Sequence, residues 1–135
     1  MSTTPEAIRE RVRARLTEQR ALVRDLLRRR ELLAGSLFER WGVCGKERCV
    51  CRTGQKHGPY YVLSTRSGGQ GGFAYLDEQQ MAEARSLVQA YREYRADMKR
   101  LRRVNEQLLD LLRRYQEATV RRGGRRVGVA FGSTL

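Results

Sequence analysis

The sequence has few of the residues from which a broad hydrophobic core or a membrane span is built. Only 40% of its 135 residues are hydrophobic and 7% are aromatic, so a length that favours one domain comes with little material for a wide core. No apolar run approaches the roughly 18–20 residues that cross a bilayer, and the N-terminus has no apolar signal core. We therefore expect a cytoplasmic protein whose core is a narrow seam between helices.

Acidic residues are scarce relative to basic ones. The chain has 28 Lys and Arg against 15 Asp and Glu, a net charge of +13 and a pI near 10.8. Residues 1–34, 35–72 and 120–135 each carry +4, whereas residues 73–119 carry +1. This excess favours an anionic partner, most often nucleic acid. Coding bias in a GC-rich genome is the alternative, because 25 of the 28 cations are Arg.

Two stretches have helical periodicity. Thr4-Pro5 is typical of a helix start, and Gly35 of a stop, which predicts helix one over 5–34. Asp77 and Gln80 form a capping-box pattern that opens helix two, 77–119. A heptad pattern along helix two predicts a seam that would also join two copies of the chain in a homo-oligomer. The predicted oligomer seam consists of Tyr91, Tyr94, Met98, Leu101, Asn105, Leu108, Leu112 and Tyr115. Asn105 either fixes the register of this seam or is a tolerated polar residue.

The segment between the helices, 36–76, has the pattern of a small β module. Residues 60–66 and 73–76 have strand-like composition and flank the Gly-rich stretch 67–72, so we predict a β-hairpin with a flexible tip. Residues 120–135 are expected to form a basic flexible tail. The predicted fold is mainly α: an antiparallel long-helix hairpin or coiled coil, with a small zinc-stapled β-hairpin inserted at the connection.

All three cysteines and the single histidine lie within one short segment. Cys44, Cys49 and Cys51 form a C-x4-C-x-C motif that His57 follows. Cytosolic thiols stay reduced, and three thiolates with one imidazole complete a tetrahedral zinc site. Such a closed site is structural, and it supplies the order that a small insert cannot obtain by burial. Another metal, an iron–sulfur cluster or free thiols are the alternatives.

The same segment resembles a family of small uncharacterised prokaryotic proteins. The resemblance covers about residues 35–115 and is carried by Leu37-Phe38-Glu39-Arg40, Cys44-Gly45-Lys46-Glu47-Arg48-Cys49-Val50-Cys51-Arg52 and His57-Gly58-Pro59-Tyr60-Tyr61-Val62-Leu63-Ser64. Members show a C-x4-C-x-C…H-G-P-Y-Y core followed by a long helix, and they are frequent in genomes rich in mobile elements. The resemblance therefore implies a metal site at the same four positions and favours DNA as the partner. The glycines at 68–72 and the Arg-Gly tail depart from the family pattern.

Basic and aromatic residues near the metal motif predict a nucleic-acid surface. The expected contacts are Arg48, Arg52, Lys56, Tyr60, Arg66, Arg121, Arg122, Arg125 and Arg126. We expect a zinc-stapled coiled-coil protein that binds nucleic acid, DNA rather than RNA, with an accessory role in a mobile element as the most specific form of this hypothesis. The alternative is a coiled-coil scaffold or adaptor for a protein partner, with the charge serving solubility. No phosphate-binding loop or carboxylate pair is present in the sequence, so we do not expect an enzyme.

Overall fold

The computed structural model describes residues 4–67 and 70–130 of the chain. Its elements are, in chain order, α1 (Pro5–Leu26), β1 (Ser36–Gly42), a 3₁₀ turn (Val50–Arg52), β2 (His57–Ser67), β3 (Gln70–Leu76) and α2 (Glu78–Arg126). The chain forms two compact units. The helical unit joins the residues up to Arg28 to those from Ala96 onward, and the sheet unit is Arg29–Arg95.

The sheet unit contains a three-stranded antiparallel sheet in the order β1-β2-β3. Paired residues point to the same side, so the register assigns each position to a face. Leu37, Leu63 and Ala74 are paired and belong to one face, which we call the inner face. Phe38, Val62 and Tyr75 are paired on the opposite face, called the aromatic face below. Neighbouring residues Val62 and Leu63 are both buried, so apolar side chains cover both faces of the central strand.

The first turns of α2 cover the inner face. The capping box forms as predicted: the Gln80 N–H donates to Asp77 Oδ1 over 2.7 Å, and the Asp77 N–H donates to Gln80 Oε1 over 2.9 Å. On the helix, Met81, Ala84 and Val88 are buried at helical spacing. Residues of β1 and α2 line a common hollow of about 380 Å³, which places this stripe of the helix against the sheet.

The helical unit is held by a stripe of apolar contacts between α1 and the later part of α2. Thr4 caps α1 by accepting from the Ala7 N–H, and Pro5 occupies the first turn, as predicted. Leu22, Val104 and Leu108 form a buried cluster, with Val12 and Leu101 packed against it. Side chains bond across the two helices at its borders. These pairs are Gln19–Asn105, Arg15–Gln107, Glu18–Arg100 and Glu6–Arg122.

The predicted fold of a long-helix hairpin or coiled coil with a β-hairpin insert is wrong. The residues that the structure describes form two α-helices of 22 and 49 residues and a sheet of three strands rather than two. The heptad also fails as a core pattern, because Met98 and Leu112 are 45% and 50% exposed. Asn105 is exposed and accepts a hydrogen bond from Gln19 Nε2 over 2.7 Å, so it is not a buried polar residue in a seam.

Helix one ends earlier than predicted, and helix two ends later. α1 stops at Leu26. In the segment that follows, the Leu33 N–H donates to the Leu87 carbonyl over 3.2 Å. At the other end, α2 continues to Arg126 through residues predicted to be a flexible tail. Arg122 there donates twice to the Glu6 carboxylate, which holds this turn to α1. Residues 68–69 of the predicted hairpin tip and 131–135 of the predicted tail lie outside the described residues.

No helix within residues 4–67 and 70–130 is both long and apolar enough to cross a membrane.

Candidate metal centre

The three cysteines and the histidine meet in a loop at one end of the sheet. The segment 43–56, called the metal loop below, connects β1 to β2 and contains the 3₁₀ turn. Cys44 lies just beyond β1, and Cys49 and Cys51 flank the start of the 3₁₀ turn. His57 is the first residue of β2, where it pairs with Gly42. The two strands thus fix the two ends of the loop and bring the first and last ligands together.

The four side chains are arranged as metal ligands are. Their ligand atoms all lie within 4.8 Å of one another. Cys44 Sγ and Cys51 Sγ are 3.6 Å apart, and Cys49 Sγ is 3.1 Å from His57 Nε2. Two thiolates on one tetrahedral ion, each about 2.3 Å from it, are about 3.8 Å apart. Cys44, Cys49, Cys51 and His57 can therefore hold a metal ion, as the sequence predicts.

Burial differs among the ligands and separates their roles. Cys51 is 1% exposed and is one of the two most deeply buried large side chains described. Cys44 and Cys49 are half-buried, and His57 is exposed. Cys51 Sγ also accepts the Cys44 N–H over 3.3 Å. The site is thus anchored on Cys51 and opens to solvent on the side of His57.

Hydrogen bonds and burial move the thiol pKa values in opposite directions. The backbone N–H of Cys51, followed by the side chains of Cys51, His57 and Cys44, lowers the pKa of Cys49 to about 6. Burial raises the pKa of Cys51. The Cys49 thiol is therefore the easier of the two to deprotonate, and a bound cation would favour the thiolate form of Cys51 as well.

Gly58 lets the chain pass close to Trp41 immediately after the last ligand. Its φ is +147°, and a Cβ there would lie 2.8 Å from the Trp41 ring and 2.9 Å from the Arg40 carbonyl oxygen. Only glycine accepts both the backbone conformation and this close approach. Trp41 and Gly58 thus fix the backbone beside His57, a positioning role that the sequence analysis missed. The Gly-Pro-Tyr-Tyr run was the available signal.

The predicted nucleic-acid residues fall into two groups in different units. Arg48, Arg52 and Lys56 are exposed on the metal loop, and Tyr60 is 45% exposed on the aromatic face. Arg66 lies in β2, where its backbone pairs with Gly71, and its side chain is outside what the structure describes. The second group, Arg121, Arg122, Arg125 and Arg126, lies in the last turns of α2. Within the sheet unit, Arg48, Arg52 and Lys56 thus lie on the metal loop that carries the metal centre.

The predicted oligomer-seam residues are not equally buried. Leu108 is buried, Tyr91, Tyr94, Leu101 and Tyr115 are half-buried, and Met98, Asn105 and Leu112 are exposed. A homo-oligomer remains a prediction, as does a protein partner.

Two residues of the aromatic face were missed by the sequence analysis. Phe38 and Arg40 lie on β1, and Arg40 Nη1 donates to the Tyr75 hydroxyl over 3.0 Å. The strand was not predicted because its alternation does not separate polar from apolar residues: Leu37 and Phe38 are adjacent and face opposite sides. Its content of Phe and Trp was the signal that favoured a strand.

These elements define a small, mainly helical, basic protein with a Cys3His cluster on a three-stranded sheet. Residues 6–86 match a family described as a domain of unknown function (DUF6788), and the chain belongs to that family. The match spans α1, the metal loop, the whole sheet and the start of α2. It confirms an uncharacterised family, while the family's Cys/His core motif and prokaryotic distribution remain predictions. No curated protein and no solved structure matches the chain.

Proposed function

We propose that the protein is a nucleic-acid-binding protein whose binding loop is ordered by a structural zinc ion. The observation that carries this proposal is the charge of the metal loop. Lys46, Arg48, Arg52 and Lys56 are all exposed there, against the single acid Glu47. A loop that concentrates cations around a metal centre presents them in a fixed arrangement, which suits a partner with a regular array of negative charges.

Zinc is the ion that this donor set favours. Thiolates select soft or borderline ions, and three thiolates with one imidazole make a common four-coordinate zinc set. All four positions would be filled by protein, so the ion would have a structural role. The Cys44 N–H on Cys51 Sγ adds the kind of outer hydrogen bond that orients metal ligands.

The local charge balance supports an anionic partner even with the ion bound. Three thiolates and one Zn²⁺ sum to one negative charge, and the basic side chains of the loop exceed it. Arg52 also braces the loop, because its Nε donates to the Lys46 carbonyl over 3.2 Å. Phosphate groups repeat along a nucleic-acid strand, so several such cations can contact one strand at once. We take DNA as the nucleic acid, as the family resemblance favours.

The arginines at the end of α2 contribute less to this proposal. Arg122 binds Glu6 through both guanidinium nitrogens, and Arg121 lies 3.9 Å from Glu117. The positive charge of these two arginines is therefore partly neutralised by carboxylates of the helical unit. The metal loop rather than the helix end is the proposed primary contact.

The first test is metal content. Protein purified without added zinc should contain close to one zinc per chain, and cobalt(II) substitution should give the absorption of a tetrahedral thiolate site. Folded protein with an intact sheet and no bound metal would contradict the zinc assignment.

The second test measures DNA affinity as a function of salt for a loop variant and a matched control. The loop variant is Arg48→Gln/Arg52→Gln/Lys56→Gln, and the control removes the same charge from the exposed α2 residues Arg102, Arg103 and Arg113. The log–log salt slope for a duplex should fall by roughly 2–3 in the loop variant, because each lost phosphate contact removes about 0.9. It should change little in the control. Equal effects, or no retention of DNA at low salt, would overturn the proposal, provided that the loop variant still binds zinc.

A further inference from the structure

The aromatic face of the sheet exposes four rings that no described element of the chain covers. Phe38, Tyr60, Phe73 and Tyr75 are 40%, 45%, 74% and 63% exposed. Val62 lies between them, 2% exposed, as the floor of the face. Exposed apolar patches with polar borders mark interaction sites in proteins. A partner that contacts ring surfaces is therefore expected here.

The rings form two edge-to-face pairs. Phe38 and Phe73 have centroids 6.4 Å apart at an interplanar angle of 86°, and Tyr60 and Tyr75 have centroids 6.5 Å apart at 88°. An edge-to-face pair leaves ring surfaces open to a third flat group, whereas a stacked pair would cover them. The face thus offers aromatic surface that is held in place by neighbouring rings.

Two adjoining hollows lie along these pairs. One, of about 350 Å³, is lined by Phe38, Arg40, Val62, Phe73 and Tyr75. The other, of about 430 Å³, is lined by Arg40, Gly42, Val43, Tyr60 and Tyr75. They share Arg40 and Tyr75, and the second reaches Val43 at the start of the metal loop. The aromatic face therefore adjoins the first residue of the metal loop within the sheet unit.

The charge on this face has one sign. Arg40 is the charged side chain among the described residues that line the two hollows, and no carboxylate lines either of them. The nearest strand carboxylate, Glu39, belongs to the inner face, 3.9 Å from Arg85. A partner that combines flat rings with negative charge matches this surface, and the unpaired bases and phosphates of a single nucleic-acid strand supply both.

We propose that the aromatic face is a stacking platform for the unpaired bases of single-stranded DNA, with the metal loop holding the adjoining phosphates. This inference rests on the proposed nucleic-acid function and specifies its ligand. Bases in a duplex have their ring surfaces covered by their neighbours, so only an unpaired strand can use the rings of this face. The choice of DNA over RNA is taken from the proposed function, and the RNA probe below tests it.

The test compares three probes with the zinc-bound full-length protein. They are an oligothymidylate of about 12 nucleotides, which lies within the site sizes of single-strand binders, a duplex of the same length, and the corresponding oligouridylate. We expect the thymidylate to bind most tightly. Tighter binding of the duplex overturns the inference but leaves the proposed function intact. Tighter binding of the RNA overturns the choice of DNA, and absence of binding to all three overturns both proposals.

Ring variants separate stacking from charge. Phe73→Leu and Tyr75→Leu keep an apolar side chain on β3 but remove the ring, and each should weaken thymidylate binding roughly 5- to 150-fold, since one stacked base contributes about 1–3 kcal/mol. Duplex binding should change less than twofold. Tyr75→Phe keeps the ring and loses only the bond to Arg40, so it should bind nearly as the wild type does. Equal losses for single strand and duplex, or no loss in the leucine variants, would contradict a stacking platform.

Discussion

The sheet unit and the helical unit bury their apolar side chains in different ways. In the helical unit, Ile8, Leu22, Val104, Leu108 and Leu111 are buried at intervals along two helices. The buried residues are distributed along both helices, and polar pairs such as Glu18–Arg100, 2.6 Å apart, lie beside them. In the sheet unit, the buried side chains are Val62 and Leu63 of β2, Met81, Ala84 and Val88 of α2, and the candidate metal ligand Cys51, which is the most buried of them.

This difference shows where each unit obtains its stability. Two long helices can distribute many small apolar contacts, so that no single residue decides whether the unit folds. The sheet unit buries a similar number of apolar side chains, and under the proposed function a metal ion at Cys51 would add a large local contribution to its folding free energy.

The largest effect is expected from the loss of a metal ligand, which should destabilise the sheet unit and leave the helical unit folded. Cys51→Ser removes the most buried ligand, and metal sites of this kind contribute on the order of 10 kcal/mol to folding in small zinc domains. Hydrogen exchange should become fast around Val62 and Leu63 in β2. It should remain slow around Val104 and Leu108 in α2, because those residues bury their side chains independently of the metal.

The matched control for that experiment is Glu47→Gln, a polar change in the same loop at a residue that is not a ligand. It should keep both the zinc and the slow exchange of β2. Fast exchange in both units of the Cys51→Ser protein would show that the helical unit also depends on the metal. Slow exchange in both would show that the sheet folds without it.

A smaller effect is expected from the helical unit. Leu108→Ala removes a side chain from the buried cluster with Leu22 and Val104, and such deletions cost about 2–5 kcal/mol. Leu112→Ala, at a 50% exposed position, should stay within about 0.5 kcal/mol. Chemical denaturation measures both, and zinc content should be unchanged in each. Equal costs would contradict the burial pattern and support a seam between two copies of the chain, in which Leu112 is covered.

Short-range features of this structure could be predicted from the sequence. The Thr4 cap and the Asp77–Gln80 capping box depend on residues three positions apart, and both form. The metal ligands Cys44, Cys49, Cys51 and His57 lie within one short segment, so their meeting required only a turn. In each case the chemistry of neighbouring residues determines the structure, and no distant partner is needed.

Features that depend on distant partners could not be predicted. α1 ends at Leu26, and the segment that follows contacts a distant part of the chain, where the Leu33 N–H donates to the Leu87 carbonyl. β1 exists because Ser36–Gly42 pairs with β2, and its two apolar faces hide the alternation that would have indicated a strand. In the last turns of helix two, Arg122 donates to Glu6, which lies near the opposite end of the sequence. The heptad pattern predicted the wrong core because some apolar residues at heptad spacing, such as Met98 and Leu112, are exposed.

The smallest effect is expected from the Glu6–Arg122 pair, which joins α1 to α2 and therefore tests the stability of the helical unit alone. Two hydrogen bonds of 2.6 and 2.9 Å from Arg122 lower the pKa of Glu6 from 4.5 to about 2. A carboxyl group whose pKa is lowered on folding stabilises the protein above its unfolded pKa, and this stabilisation is lost as the pH falls toward the folded value. Glu6→Gln should therefore lower the melting temperature slightly at pH 7, and the difference from wild type should shrink between pH 4.5 and pH 2.

The control is Glu10→Gln, which removes the exposed pair with Arg13 inside α1. It should have less effect, because the Glu10–Arg13 pair does not join the two helices. Protonation of the metal ligands occurs equally in wild type and variant, so it cancels in the difference. If the difference in melting temperature between wild type and Glu6→Gln persists unchanged at pH 2, the charge of Glu6 is not its source.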